Sequence, residues 1–412
     1  MNARITPCAL SGRISAPPSK SFAHRYIIAA FLSGTPTEII GAGDSDDVYA
    51  TLGALSSLGL TYEKTERGLL VKRDGYRDGT AYCRESGSTL RFLLPVVCAL
   101  GLRVDFTGEK SLLSRPINSL VETLNSNGAQ IDGLSVKGKL NSGLYSIDGS
   151  VSSQYVSGLL FALPLLDGDS EIVFKGDLVS KKYVDITLGV LKEFGVKTEK
   201  TEHGFFVKGG QKYLSPKTVK VEGDFSGAAF FLCAGALGKK ITVSGLNPVS
   251  GQGDAQILNV LKAFGAEITV AGDEINVERK TLKGITVDID PIPDLAQIIS
   301  VVGAFAEGKT VLKNVSRLRL KESDRIAAII NTLQSAGIKS ELAANDLIIY
   351  GGNPVGGIFD GGNDHRTVMS ASILSCFASG DSEVLGAEAV KKSYPAFYKD
   401  FILLGGKVNV DV

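Results

Sequence analysis

Apolar residues repeat one pattern six times along the chain. A stretch with helical spacing runs into a glycine, and alternating apolar and polar residues follow it. Leu52 to Gly59 precedes LTYEKTERGLLVKR, Leu120 to Gly128 precedes AQIDGLSVKG, and Leu188 to Gly195 precedes VKTEKTEHGFFVKGG. Leu258 to Gly265 before AEITVAGDEINVER, Ile330 to Gly337 before IKSELAANDLIIYGG and Phe401 to Gly405 before GKVNV complete the set. The glycines recur about every 70 residues, well beyond the spacing of solenoid repeats. Each is expected to end a helix in the left-handed conformation. The alternation after it predicts a hairpin with one buried face.

Such a helix-and-hairpin module cannot bury its apolar face alone. Six copies predict an α/β chain of two similar domains, each holding three modules around a pseudo-threefold axis. The seam is expected near Val221-Glu222-Gly223-Asp224, where the polar stretch SPKTVKVEGD precedes a fresh helix. An N-terminal strand, Arg4 to Ile14, is expected to cross back and complete the far domain. Domain 1 is then 1–14 with 223–412, and domain 2 is 15–222. The double connection would act as a hinge.

Composition narrows the functions available. The chain has 412 residues, with 44 Lys+Arg against 44 Asp+Glu. A formal charge of zero supplies no broad positive field for nucleic acid or an anionic membrane, so any anion site must be local. The five cysteines are scattered without metal-type spacing and read as buried thiols in a reducing compartment. No signal-peptide core opens the chain and no apolar run reaches about 18 residues, so a cytoplasmic protein is expected.

The densest chemistry lies at Arg317-Leu318-Arg319-Leu320-Lys321-Glu322-Ser323-Asp324-Arg325. Cations alternating with leucines read as a strand with Arg317, Arg319 and Lys321 on one face, feeding a helix that begins near Ile326. This is either an anion site with its own acids or an exposed strand carrying solvated charge. Other cations recur at expected helix beginnings. Lys20 follows Pro17-Pro18-Ser19, with Ser19 or Ser21 as the cap of a helix running to about Leu32. Arg91 follows Glu85-Ser86-Gly87-Ser88-Thr89, and Arg115 precedes Pro116 at an expected first helical position. Ser152, Ser153 and Gln154 start a fourth helix, and Ser180 and Tyr183 follow a similar loop. Arg366 comes after Asn363-Asp364-His365, and Lys392 lies in Lys391-Lys392-Ser393-Tyr394-Pro395, read as a sixth opening. Ser and Thr at such places are ordinary caps, but the helix dipole disfavours cations there. A ring of helix N-termini around bound phosphates or carboxylates explains the bias. Asp294, after Asp290-Pro291-Ile292-Pro293, is expected to be an N-cap whatever else it does. Glu322 and Asp294 are the candidate acid and base, and Lys20 could shuttle a proton if neighbouring cations lowered its pKa. No P-loop, dinucleotide fingerprint, nucleophile elbow or metal-spaced cluster is present.

The stretches PPSKSFAHR, GDSDD, ESGSTLRF, SRPI, GSVSSQ, LVSKKYVDIT, VEGDFS, PIPD, RLRLKESDR, NDHR and VKKSYP fall in one family's order and spacing. Over nearly its whole length the chain resembles the enolpyruvylshikimate phosphate synthases of the enolpyruvyl transferase family. The resemblance implies an inside-out α/β fold of two domains, each with three βαβαββ-type units, closing on substrate at an interdomain cleft. It implies transfer of the enolpyruvyl group of phosphoenolpyruvate to the 5-hydroxyl of shikimate 3-phosphate, with phosphate released through a tetrahedral intermediate. Neither metal nor organic cofactor is implied, and the partners are small anions acting on a monomer.

By motif, Lys20, Gly87, Arg91, Arg115, Gln154, Arg325, Arg366 and Lys392 match the phosphoenolpyruvate site. Lys20, Ser21, Arg25, Ser152, Ser153, Gln154, Ser180, Tyr183, Asp294 and Lys321 match the shikimate 3-phosphate site. Lys20, Asp294 and Glu322 match the catalytic positions, with Asp294 as base. The sequence departs from the family at Glu85, Ser88, Phe92 and Arg317, where Asn, Thr, Pro and Asn are frequent. Glu85 beside an anion pocket should weaken binding unless a cation pairs with it, and it leaves the response to glyphosate open. The sister transferase acting on UDP-N-acetylglucosamine typically has a cysteine five residues before its Arg-Pro, where this chain has Lys110. RNA terminal phosphate cyclases, which use related repeats, would favour a basic surface. A catalytically inactive relative is a further alternative.

Overall fold

The structure is a computed structural model that describes residues 1–411. The chain divides into two compact units, one continuous from Lys20 to Val221, the other made of Met1–Ser19 and the chain from Glu222 onward.

The six module glycines adopt the left-handed conformation, with φ between +72° at Gly337 and +110° at Gly59. At Gly59 the demand is also steric, since a Cβ there would lie 2.0 Å from the carbonyl oxygen of Gly75. Each glycine follows a helix and precedes an edge strand. The described residues form six four-stranded sheets with one plan: two parallel strands, then two antiparallel ones. In one of them Gly79–Tyr82 runs parallel to Val104–Thr107, which pairs antiparallel with Ser135–Gly138, and Ala129–Asp132 takes the edge.

Three sheets take a strand from a distant part of the chain. Thr218–Lys220 pairs with Thr37–Ile40 to complete the first sheet of the continuous unit. The expected strand Arg4–Ile14 is in fact two, Asn2–Thr6 and Gly12–Ser15, broken at Pro7–Ser11. Gly12–Ser15 runs parallel to Ile241–Ser244. Asn2–Thr6 inserts between Ser382–Leu385 and Lys407–Val410, so the sixth edge strand pairs with the start of the chain and not with a neighbouring hairpin strand. Pro7 and the turn after it separate two strands that belong to different sheets of one unit.

In each unit the helices lie inside and the sheets cover them, an α/β arrangement turned inside out. Every residue of Phe225–Leu237 is buried, as is all of His365–Phe377 except its last residue. These two helices and Ala296–Phe305 pack on one another. In the continuous unit Gly87–Leu100 packs on Ser153–Ala162, which packs on Lys181–Glu193, which in turn packs on Lys20–Ser33. Each unit has its own apolar core. The sheet strands alternate buried and exposed residues, as at Val104–Thr107, so their outer faces meet water. Among the described residues no helix is long and apolar enough to cross a membrane.

Candidate active site

In the continuous unit the candidate residues gather at helix beginnings. Lys20 is the first residue of Lys20–Ser33, and its Nζ donates to Asp47 Oδ2 at 2.7 Å. Neither expected serine caps this helix by a hydrogen bond: Ser19 Oγ is buried without a partner, and Ser21 lies inside the first turn, its carbonyl accepting from Arg25 Nη1. Arg25 is 2% exposed and also donates to Thr187 Oγ1 at 2.7 Å and to the carbonyl of Tyr183 at 2.9 Å. Its guanidinium stands over the Phe92 ring, 4.8 Å from the centroid. Burial brings its pKa down to about 9, which leaves it charged at neutral pH.

Gly87–Leu100 begins at Ser86, whose hydroxyl accepts from the Thr89 amide. One turn on, Arg91 Nη1 donates to Gln154 Oε1 at 2.7 Å, and Gln154 Nε2 donates to Ser88 Oγ at 3.0 Å. The donor-only Arg91 guanidinium therefore fixes which way the Gln154 amide points, and the Ser88 hydroxyl accepts from its nitrogen. A Cβ at Gly87 would lie 3.2 Å from Nη1 of both Arg91 and Arg115, so glycine is what lets two guanidinium groups approach that helix end. Pro116 is not the first residue of a helix: Lys110–Leu113 forms a short one, and the next begins at Asn118. The Pro116 carbonyl instead accepts from Arg91 Nη2 at 3.0 Å and from the Tyr155 hydroxyl at 2.6 Å. Ser152 caps Ser153–Ala162 by accepting from the Gln154 amide. Ser180 precedes Lys181–Glu193 with φ +49°, a strained setting for a side chain and a frequent mark of functional loops.

Behind this surface runs a chain of buried groups. Thr89 Oγ1 donates to Ser86 Oγ at 2.8 Å, which obliges Thr51 Oγ1 to donate to Thr89 and to accept from His24 Nδ1. His24 is thus the Nδ1–H tautomer, and its Nε2 is buried without a partner. Burial holds its pKa down to about 3, so the ring is neutral. The helices carrying Lys20, Asp47 and Gly87 are tied together by this one-way relay.

In the discontinuous unit the chemistry is built on ion pairs. The Arg317-to-Lys321 segment is not a strand but a 3-10 helix, Ser316–Leu320, in which the alternating charges diverge. Arg317 Nη1 binds Asp290 at 2.8 Å and Arg319 Nη1 binds Asp324 at 2.7 Å. Lys321 turns the other way and lies 3.4 Å from Asp294 Oδ1. Asp324 caps Arg325–Ser335, accepting from the amides of Ile326 and Ala327. Arg325, at 1% exposure, holds three carboxylates: Asp294 at 2.7 Å, Glu322 at 2.6 Å and Asp364 at 2.8 Å.

Asp294 is not an N-cap. It lies in the turn Pro293–Leu295, and its carboxylate meets Arg325, Lys321 and, at 3.2 Å, Arg366 Nη2. Burial opposes its charge, but Arg366, Lys321 and Arg325 together outweigh burial and hold it well below the usual carboxylate range. Burial lowers the Lys321 ammonium. Asp364 caps His365–Phe377 and accepts from Ser323 Oγ and Arg325 as well. Lys392 opens no helix: it closes the 3-10 helix Ala387–Lys392, and its Nζ donates to the Asn363 carbonyl at 2.5 Å.

Sequence reasoning assigned no role to Asp47, Asp364, Thr51 or Asp254. GDSDD and NDHR contain the first two, and an acid at a helix start was the available signal. Asp254 left none. It is 2% exposed, bonded to Ser226, and its pKa is pushed up to about 6 by burial and by the Asp294 charge. Among the described residues no cluster of His, Cys, Asp and Glu could hold a metal ion.

Comparison with known proteins gives this arrangement a family. The family model described as EPSP synthase (3-phosphoshikimate 1-carboxyvinyltransferase) matches residues 5–401. The chain belongs to the EPSP synthase family. A relative from Clostridium kluyveri named 3-phosphoshikimate 1-carboxyvinyltransferase is 41% identical, covering 98% of this chain and 97% of its own. One from Clostridioides difficile with the same name is 37% identical over 98% of each chain. A solved structure of EPSP synthase from Acinetobacter baumannii superposes with a TM-score of 0.83 at 26% identity, covering 99% of this chain and 100% of that one. The enolpyruvyl transferase NikO from Streptomyces tendae, at 17% identity and a TM-score of 0.81 over 99% and 98% of the two chains, shares the fold. Membership of the EPSP synthase family accounts for the inside-out α/β plan found in both units. Lys110 stands five residues before Arg115 in the structure as in the sequence, so the sister transferase reading gains nothing.

Proposed function

We propose that the chain transfers the enolpyruvyl group of phosphoenolpyruvate to the 5-hydroxyl of shikimate 3-phosphate, releasing inorganic phosphate, as a cytoplasmic monomer in chorismate and aromatic amino acid biosynthesis. The observation that carries the mechanism is the junction at Arg325, which holds Asp294 and Glu322 on one guanidinium. Asp294 is ionised at working pH and takes the proton of the attacking hydroxyl as its oxygen adds to C2 of phosphoenolpyruvate. Glu322 and Lys20 are the two groups that can deliver a proton to the methylene carbon. Loss of that proton and departure of phosphate complete the elimination.

Lys20, Arg91, Arg115, Arg325, Arg366 and Lys392 offset the charge of phosphoenolpyruvate, with Gly87 and Gln154 shaping that pocket. Ser21, Arg25, Ser152, Ser153, Gln154, Ser180 and Tyr183 serve shikimate 3-phosphate, with Lys321 and Asp294 on its ring hydroxyls. Glyphosate, a phosphonate anion, competes for the same cations.

Incubating the pure protein with both substrates and measuring phosphate release tests the reading. Release that depends on shikimate 3-phosphate is expected. No release, with turnover on UDP-N-acetylglucosamine instead, would overturn it. The pH–rate profiles of Glu322→Gln and Asp294→Asn separate the proton donors: loss of the acidic limb in Asp294→Asn identifies the base.

A further inference from the structure

Cys8 and Cys376 are 368 positions apart in sequence, yet their sulfurs lie 3.7 Å apart. The Cys8 amide also donates to the Cys376 carbonyl at 2.9 Å, so the two backbones are held together independently of the thiols. Cys8 sits in the break between Asn2–Thr6 and Gly12–Ser15 and is partly exposed, while Cys376 is buried near the end of His365–Phe377. The other three cysteines are buried with no second cysteine bonded to them.

We propose that Cys8 and Cys376 form a peroxide-sensitive dithiol, a redox modification site that closes to an intramolecular disulfide. Two sulfurs already in contact on hydrogen-bonded backbones need little movement to reach bonding distance. Their environments also divide the labour. The Cys8 thiol is brought down to about 6 by its hydrogen bond with Cys376, against burial, with help from the Lys407 amide and charge. Burial pushes Cys83 and Cys98 up to about 12 and raises Cys233 further, so those thiols stay protonated and inert.

The Cys8 thiolate attacks one peroxide oxygen. The S–O bond forms, the O–O bond breaks, and the leaving hydroxide takes a proton to become water. The Cys376 sulfur then attacks the Cys8 sulfenic acid. The S–S bond forms, the S–O bond breaks, and the departing hydroxide leaves as water with the Cys376 proton. Two thiols lose two electrons and hydrogen peroxide is reduced to two waters. The product fastens the strand break at Pro7–Ser11 to the helix His365–Phe377, and a dithiol reductant reverses it.

The test is peptide mapping of the full chain after one equivalent of hydrogen peroxide, without reduction. A cross-linked pair of peptides holding Cys8 and Cys376, with the intact mass lower by two hydrogens, is expected, together with a melting temperature raised by several degrees that dithiothreitol restores. Cys8→Ser should abolish both changes. Since Cys376→Ser could destabilise a buried site, the wild-type map alone decides. Cys8 recovered as a free thiol or as sulfinic acid, with no cross-link, would overturn the proposal.

Discussion

The two units share one plan and treat charge in opposite ways. In the continuous unit Lys20 is paired with Asp47, but around Gly87 two guanidinium groups approach one helix beginning, and Gln154 and Pro116 supply neutral acceptors to Arg91. In the discontinuous unit the candidate cations Lys321, Arg325 and Arg366 are matched by Asp294, Glu322 and Asp364. A surplus of positive donors binds anions, whereas a balanced buried network fixes protonation states. The lesson is that one three-module plan, used twice, differs between the units in where its helix beginnings place acids. The candidate base Asp294 and the candidate acid Glu322 both belong to the balanced network.

The sharpest way to break that contrast is Asp364→Ala. Arg325 keeps Asp294 and Glu322, but it loses its fully buried carboxylate and the helix His365–Phe377 loses its cap, which together should destabilise the fold by about 2–4 kcal/mol. Urea denaturation measures it, and an unchanged midpoint would show the network to be dispensable. Next comes pH. The folded His24 pKa, about 3, is below the unfolded value, so the unfolded chain binds more protons and stability falls as pH drops below 6.5. Between pH 6.5 and 4 this costs the continuous unit on the order of 3 kcal/mol. Asp254 acts in the reverse sense: its folded pKa of about 6 is raised, so the folded state binds more protons. The discontinuous unit gains about 2–3 kcal/mol from it as pH falls from 6 to 4. The lowered Asp294 and Asp364 begin to offset this as pH falls into the ordinary carboxylate range, about 4, and their loss grows below it. Hydrogen exchange, corrected for intrinsic rates, should therefore show Lys20–Ser33 loosening at pH 4.5 before Phe225–Leu237. His24→Asn should remove the difference on its side, and equal responses would refute the assignment.

Smaller effects concern binding alone. Arg91→Lys keeps the charge but loses the fork that holds Gln154 and Pro116 together, at about 1.5–3 kcal/mol in kcat/KM for phosphoenolpyruvate. Its urea midpoint should stay at the wild-type value. If stability falls while kinetics hold, Arg91 is structural. Glu85→Asn is the mildest. Glu85 accepts from Ser111 Oγ at 2.6 Å, and replacing its charge should change KM for phosphoenolpyruvate by a factor of a few, about 1 kcal/mol or less. Unchanged steady-state kinetics would place that carboxylate outside the pocket's field.

What the sequence made legible was local. Gly59 and its five counterparts end helices because a left-handed residue is needed there, and that need is met within a few positions of the chain. The Arg317-to-Lys321 alternation misled because period two is equally compatible with a short turn whose side chains are pulled apart by Asp290, Asp324 and Asp294. Asp294 has the right residue type for a cap, but three cations from elsewhere in the chain claim it first. Lys392 and Pro116 were displaced for a similar reason: each meets a backbone or guanidinium group from a remote segment. Pairings such as Arg91 with Gln154, or Thr51 with Thr89, join different modules, and no single module's pattern contains them.

The insertion of Asn2–Thr6 between Ser382–Leu385 and Lys407–Val410 has a consequence for the order of assembly. Residues 20–221 form a contiguous unit that can fold as soon as Thr218–Lys220 emerges from the ribosome. The first strand must wait, unpaired, until almost the whole chain has been made, because Ala3 has its partners at Val384 and Val410. Contacts of such long range close late and slowly. The newborn chain thus carries that strand without its partners until residues 382–410 have been made, and its sheet can form only then.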